Sequence, residues 1–373
     1  MKKKLAIIAP SQRPESFIKA HIDRLSEAYT VLFFSGGFLP DRVRVGNRGF
    51  KVGRKWFRGL LKGYRVLFGK DRDHPRRAAL GRELKKQKID LVLAEYGPVG
   101  AYVADVCDRN NIPLVVHFHG YDAYMDKCLK EFHGPYQRLF SVARAIVAVS
   151  RDMKEQLLRI GAPDEKLFVN VYGVDPALFE PHDPSKIWPR AIFWGRMVHK
   201  KAPYLTLLAF EQAIREVPEA ELTMIGDGPL LQVVRTMVQA KGLEKNVNLP
   251  GAIPHKELPQ YIQGSRVYVQ HSLAAEDGDS EGSPNAILEA FASGLPVVST
   301  LHGGIKDLID DGVSGFLVAE KDIGAMGKKL VELLKDPEKA KEMGQRGRDS
   351  VLNEYSIEER MATLQEILEE ADR

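Results

Sequence analysis

Glu281 and Glu289 bracket the segment Glu281-Gly282-Ser283-Pro284-Asn285-Ala286-Ile287-Leu288-Glu289-Ala290-Phe291-Ala292-Ser293-Gly294-Leu295-Pro296. Ser283 suits the N-cap of a helix and Pro284 its first position, and Gly294-Leu295-Pro296 ends that helix before a strand. Glu281 then lies in the loop ahead of the helix, and Glu289 nearly two turns inside it. Backbone N–H groups at Ser283, Asn285 and Ala286, backed by the positive helix end, suit a diphosphate. Carboxylates beside them suit hydroxyl donors such as those of a sugar. The plain alternative is a capped surface helix with an early glutamate for its dipole.

A second group, Gly195-Arg196-Met197-Val198-His199-Lys200-Lys201, follows an apolar run and precedes Pro203. Arg196 and Lys201 at a strand's carboxyl end suit the neutralisation of a leaving diphosphate, whereas Lys200 reads as part of a solvated basic loop. Gly226-Asp227-Gly228-Pro229 predicts close approach of backbone to a ligand at Gly226 and Gly228, with an ordinary tight turn as the alternative. Its third dinucleotide-motif glycine is missing, and no Walker P-loop is present. In His117-Phe118-His119-Gly120, His119 stands just past a strand and suits hydrogen bonding to a hydroxyl; capping the next helix is its plain alternative. Asp277-Gly278-Asp279 has the form of a divalent-cation pair but equally of a turn. His255, His271 and His302 offer no ligand spacing, and Cys107 and Cys128 read as reduced thiols.

The composition is that of a soluble globular protein: 373 residues, 44% hydrophobic and 28% charged. The net charge of +4 is unevenly spread. Residues 42–88 hold 17 Lys and Arg against 3 Asp and Glu, leaving 37 against 47 elsewhere, or +14 in one segment and −10 in the rest. Within it Trp56, Phe57, Leu60, Leu61, Tyr64, Leu67 and Phe68 fall on one helical face, with Arg54, Lys55, Arg58, Lys62 and Arg65 largely off it. A cationic helix bearing aromatic residues suits an anionic membrane surface; docking of its apolar face onto the domain is the alternative. No nucleic-acid motif accompanies the charge, so nucleic acid is not an expected partner. No apolar run reaches the roughly 18 residues that would span a bilayer, and a cytoplasmic protein is expected.

Positioning these groups requires alternating strands and helices. The pattern predicts strands at Leu5–Ala9, Val31–Phe34, Asp90–Ala94, Pro113–His117, Ala145–Val149 and Phe168–Val171. A second series follows at Ala191–Trp194, Glu221–Ile225, Val247–Leu249, Val267–Gln270, Pro296–Ser299 and Gly315–Val318. Two doubly wound domains result, 1–174 and 191–354, joined by the proline-broken linker 175–190 and followed by a helix in 355–373. Ligands are expected at the carboxyl ends of the strands, across the cleft.

With these residues in place, the sequence resembles the family 4 glycosyltransferases of the GT-B fold, retaining enzymes that use nucleotide sugars. The Glu-x7-Glu spacing of Glu281 and Glu289, Gly-Arg…Lys at 195–201, Gly-Asp-Gly-Pro at 226–229 and Gly-Val-Asp at 173–175 occur in the expected order. Asp277-Gly278-Asp279-Ser280-Glu281-Gly282 and Pro10-Ser11…Glu15-Ser16-Phe17-Ile18 are similar to the exopolysaccharide branch, of colanic acid and amylovoran type. The resemblance implies an α/β, GT-B architecture of two Rossmann-like domains facing a cleft, the first binding acceptor and the second donor, with the last helix crossing back onto the first domain. It implies that Arg196 and Lys201, with Ser283, Pro284 and Asn285, bind the donor diphosphate. Glu289 would bind the ribose, Glu281 the transferred sugar, and His119 that sugar from the acceptor side. The implied enzyme is a hexosyltransferase acting on a saccharide or lipid-linked acceptor in cell-surface or exopolysaccharide synthesis, on the inner face of the membrane, with no metal or other cofactor required. A nucleotide-sugar-binding protein without turnover and a GT-B phosphorylase are the alternatives. Ala202 stands where the family has glycine, Tyr172 replaces a frequent asparagine, and the loop Pro10–Ser16 lacks the paired glycines of the wider family.

Overall fold

Apolar runs too short for helices, separated by amphipathic segments, can bury both faces only as parallel strands under crossover helices. In the computed structural model, which describes residues 2–45, 48–51 and 74–373, the chain divides into two compact units, Met1–Asn170 with Met361–Arg373, and Val171–Arg360.

The first unit holds β1 (Lys4–Ile8), β2 (Thr30–Ser35), β3 (Arg42–Val45), β4 (Arg48–Lys51), β5 (Leu91–Glu95), β6 (Leu114–Phe118), β7 (Ala145–Ala148) and β8 (Leu167–Val169). They form one sheet in the order β4-β3-β2-β1-β5-β6-β7-β8. From β2 to β8 the pairing is parallel, while β3 and β4 add an antiparallel hairpin at the edge. The sequence reading did not expect that hairpin. Its first strand alternates, with Val43 buried and Arg42 and Arg44 exposed, but the charge of the segment masked the period-two pattern. Part of the +14 therefore lies on an edge strand, where cations discourage pairing with another chain. The expected basic helix, with Trp56, Arg58, Lys62 and Arg65, lies outside the described residues. The central strands are solvent-free, Leu5 to Ala9 throughout, as a sheet covered on both faces requires. Within this unit Lys3 forms an ion pair with Asp372, near the end of the helix Ile357–Ala371.

The second unit holds β9 (Arg190–Trp194), β10 (Glu221–Ile225), β11 (Val247–Gly251), β12 (Val267–Val269), β13 (Val297–Thr300) and β14 (Gly315–Val318). All pair in parallel, in the order β11-β10-β9-β12-β13-β14. Phe193, Leu207, Phe210, Val267, Leu330 and Met343 contribute to its core. Between β9 and β12 the order of winding reverses, because β9 leads outward to β10 and β12 to β13. The loops that leave those two strands diverge and open a crevice at their carboxyl ends. In the first sheet the same reversal falls between β1 and β5.

Candidate functional site

Both loops at the second reversal carry charge, and the structure joins them. After β9 the chain forms a short turn of helix at His199–Lys201, passes through Ala202 at φ 33°, and enters the helix Pro203–Ala213. That left-handed conformation favours glycine, which accounts for the glycine usual in the family; here alanine adopts it. Lys201 Nζ lies 2.9 Å from Glu281 Oε1, in the loop after β12, and donates to Gln270 Oε1 at 3.3 Å. Both ions are buried. Burial pushes the Glu281 carboxyl up, but Lys201, then Lys200, outweigh it and hold the group at about 2.

Lys200 corrects the sequence reading. It is not a solvated lysine: it is buried, donating to Asp279 Oδ1 at 3.0 Å and to the Ser280 carbonyl at 3.1 Å. One oxygen of the Asp277/Asp279 pair is thus already occupied by an ammonium group. Lys201 is likewise neutralised by Glu281, so the expected pair of uncompensated cations reduces to the exposed Arg196. Lys201 thus combines the ion pair to Glu281 with a hydrogen bond to Gln270.

The helix begins later than expected, at Asn285–Ala292, with Pro284 extended ahead of it at ψ 108°. Ser283 therefore does not cap it, and Pro284 is not its first residue. The Ser283 hydroxyl and Asn285 Oδ1 are buried atoms without a hydrogen-bond partner. Buried polar atoms are nearly always satisfied, so two orphans beside a helix start mark a place for a polar ligand. Glu289 now lies one turn into the helix. Trp194 Nε1 donates to its Oε2 at 2.7 Å, and His255 Nε2 lies 3.1 Å from its Oε1. The bond to Glu289 raises the His255 pKa against partial burial.

Gly226 and Gly228 also serve a purpose the sequence did not show. A Cβ on Gly226 would lie 1.8 Å from the Gly195 carbonyl oxygen, and one on Gly228 2.6 Å from that of Met197. These glycines let the loops after β9 and β10 touch, and the Met197 N–H donates to the Asp227 carbonyl at 2.8 Å.

In the first unit, His119 sits at the carboxyl end of β6 with its side chain only 3% exposed. It does not cap the next helix; Asp122 accepts the N–H groups of Gly97, His119 and Gly120 instead. His119 Nε2 lies 2.8 Å from Glu95 Oε2, while His21 Nδ1 lies 2.7 Å from Glu95 Oε1. Burial opposes the Glu95 charge, but His21 and His119 more than offset it and hold the carboxyl well below its usual range. Burial drives His117 the other way, well below the usual imidazole value. His21, Glu95 and His117 form the one group of three potential metal ligands among the described residues. The 2.7 and 2.8 Å bonds from His21 and His119 on the two oxygens of Glu95 are those of a hydrogen-bonded carboxylate.

Sequence reasoning missed Glu95, His21, Gln270 and Trp194, and dismissed His255 and His302. Glu95 had a signal: it closes the run Leu91-Val92-Leu93-Ala94 at the end of a strand, where ligands bind. His21 lies on the buried face of the helix Ser16–Leu25, with Ile18 and Leu25.

Two open, mainly parallel sheets, each with polar groups gathered where its winding reverses, define a doubly wound α/β protein, and comparison with known proteins agrees. Residues 178–350 match the family described as glycosyl transferases group 1, and residues 15–178 match glycosyltransferase family 4. WcaL of Escherichia coli (strain K12), which carries the name of a colanic acid biosynthesis glycosyltransferase, is 30% identical over 299 residues, 78% of this chain and 74% of its own. The amylovoran biosynthesis glycosyltransferase AmsK of Erwinia amylovora is 32% identical over 264 residues, 69% of this chain and 64% of its own. Among solved structures, Anabaena HepE in complex with UDP superposes with a TM-score of 0.76 at 18% identity, covering 98% of this chain and 99% of that one. Sucrose-phosphate synthase of Thermosynechococcus elongatus gives 0.76 at 18% identity, covering 98% of each chain. The fold is GT-B. The chain belongs to the family 4 glycosyltransferases and is a glycosyltransferase enzyme.

Proposed function

We propose that this enzyme transfers a hexose, with retention, from a nucleoside-diphosphate sugar bound by the second unit to a saccharide or lipid-linked acceptor bound by the first, in cell-surface or exopolysaccharide synthesis. The observation that carries the reading is the buried Lys201–Glu281 pair at the reversal of the second sheet, beside the orphan polar atoms of Ser283 and Asn285. Arg196 and Lys201 meet the diphosphate, together with the first N–H groups of the helix Asn285–Ala292. Glu289, held by Trp194 and His255, keeps acceptor capacity for the ribose hydroxyls. Glu281, kept ionised by Lys201, orients the transferred sugar, and His119 is a binding residue of the acceptor unit. As the bond to the anomeric carbon breaks, negative charge grows on the diphosphate, where the cation and the helix end stabilise it. No metal takes part in this reading: Lys200 already supplies the cation at Asp279.

The relatives named for colanic acid and amylovoran synthesis support a polysaccharide precursor as acceptor. The cationic segment 42–88 supports attachment to the cytoplasmic face of an anionic membrane; no helix among the described residues is long and apolar enough to cross one. Trp56→Ala with Arg58→Glu then weakens co-sedimentation with anionic vesicles, and equal sedimentation of variant and wild type refutes the attachment.

The test of the main reading is a thermal-shift screen of UDP, GDP, ADP and their sugars, followed by turnover of the sugar that stabilises most. Turnover that is lost in Glu281→Ala and Lys201→Ala supports it. Stabilisation without turnover in the wild type identifies a binding protein, and activity that depends on inorganic phosphate and ignores nucleotide sugars identifies a phosphorylase.

A further inference from the structure

Three loops that leave adjacent strands of the second sheet converge on the backbone of Glu281. The Glu281 N–H donates to His302 Nε2 at 3.1 Å, and the Gly304 N–H donates to the Glu281 carbonyl at 3.2 Å. The opposite edge of the imidazole, Nδ1, lies 2.6 Å from Glu320 Oε1. The other Glu320 oxygen, Oε2, accepts the N–H of Ala274 at 3.2 Å, back in the loop that carries Glu281. The loop after β13 thus contributes His302, the loop after β14 contributes Glu320, and both hold the loop after β12. A backbone N–H can only donate, so Nε2 of His302 must carry a lone pair and Nδ1 the proton it gives to Glu320. The ring is buried and its two nitrogens have one role each. Between His302 and Gly304, Gly303 leaves room that a side chain would fill: a Cβ there would lie 2.3 Å from the Glu281 carbonyl oxygen.

We propose that His302, oriented by Glu320, is a positioning residue of the transfer reaction, fixing the backbone of Glu281 so that its carboxylate meets the sugar in one geometry. The proposal rests on the reading of Glu281 as the group that orients the sugar. The Lys201 contact restrains the Glu281 side chain; His302 and Gly304 restrain the N–H and C=O of the same residue. A misplacement of about 1 Å at such a group costs about a hundredfold in rate.

Three variants of the full chain test it. His302→Phe keeps the ring volume and removes the acceptor. His302→Gln restores an acceptor at the Nε2 position, and His302→Asn keeps a donor toward Glu320 but ends short of the Glu281 N–H. Turnover of UDP-glucose or GDP-mannose, whichever the wild type consumes, is expected to fall about a hundredfold in kcat in His302→Phe. His302→Gln should recover at least tenfold of that loss, with KM within about threefold throughout, because Arg196 and Glu289 are untouched. Hydrogen exchange of the peptide around Glu281 should quicken in the Phe and Asn variants and slow again in Gln; a merely structural role would not track the acceptor. Equal kcat in Phe and wild type overturns the proposal, as does equal loss in Phe and Gln with unchanged exchange at Glu281. If His302→Phe does not fold, Gln against Asn decides, and equal activity of those two overturns it. A Glu281→Gln variant with wild-type turnover instead removes the reading of the site and leaves the backbone restraint to stand or fall by exchange alone.

Discussion

Each unit buries an ionised carboxylate where its sheet reverses, Glu95 at the end of β5 and Glu281 after β12, and the two are satisfied by different bases. Glu95 takes its protons from two imidazoles, with a third ring 3.8 Å away. Glu281 takes its counter-charge from one ammonium group at 2.9 Å, with a second lysine close behind. The same topology has produced a carboxylate surrounded by imidazoles and one held by lysines. A crevice specifies a place for charge; the neighbouring side chains decide which base balances it.

Substitutions that remove one partner separate the two cases. Lys201→Met leaves Glu281 buried without its nearest cation and should cost about 3–5 kcal/mol in denaturant unfolding. Adding Glu281→Gln should return most of that stability, although not the turnover. Gly303→Ala forces a Cβ against the Glu281 carbonyl from a left-handed residue at φ 46°, and should lower turnover about a hundredfold while nucleoside-diphosphate binding is retained. Glu95→Gln should cost about 1–3 kcal/mol, because an amide offers one acceptor to two imidazole donors. A loss in Glu95→Gln equal to that in Lys201→Met would erase the difference between the clusters.

Protons sharpen the comparison further. His117 resists protonation in the folded chain, whereas an unfolded imidazole accepts it near pH 6.5, so its stabilising contribution is full above that value and declines as the pH falls below it. The slope is at most about 1.4 kcal/mol per pH unit, and His117→Phe should flatten it between pH 6.5 and 5. His271, held at about 4 by burial, adds a slope of the same sign in the second unit. Glu281 contributes none there: its folded value of about 2 lies below its usual 4.5, so its contribution is lost only as the pH falls from that range toward 2. The smallest effect is expected at His255, whose pKa is raised by Glu289. Its contribution is present in acid and fades as the pH rises through the raised value, so His255→Ala should make nucleotide binding slightly weaker and less pH-dependent, as read by titration calorimetry.

Much of this arrangement was legible in one dimension. The strands of both parallel sheets follow from short apolar runs at regular spacing, and the Glu281–Glu289 and Arg196–Lys201 elements from residue types at strand and helix ends. The hairpin Arg42–Lys51 was not legible, because charge obscured an alternation only four residues long. Lys200 was misread because sequence shows a charge but not what neutralises it: Asp279 is distant along the chain and becomes adjacent only when β9 and β12 pair. The glycines at 226 and 228 were recognised as necessary, but not that the loop after β9 lies against them, since a requirement for missing Cβ atoms does not say what occupies their place.

The sequence by itself determined the two doubly wound sheets and the family, because local patterning and strand-end position carry that information. Only the tertiary structure decided which charges cancel, that His302 and Glu320 hold Glu281, and that Glu95 gathers three histidines. Those contacts include Lys200 with Ser280, 80 positions apart, and form through loops whose meeting is fixed by strand order and by no pattern along the chain.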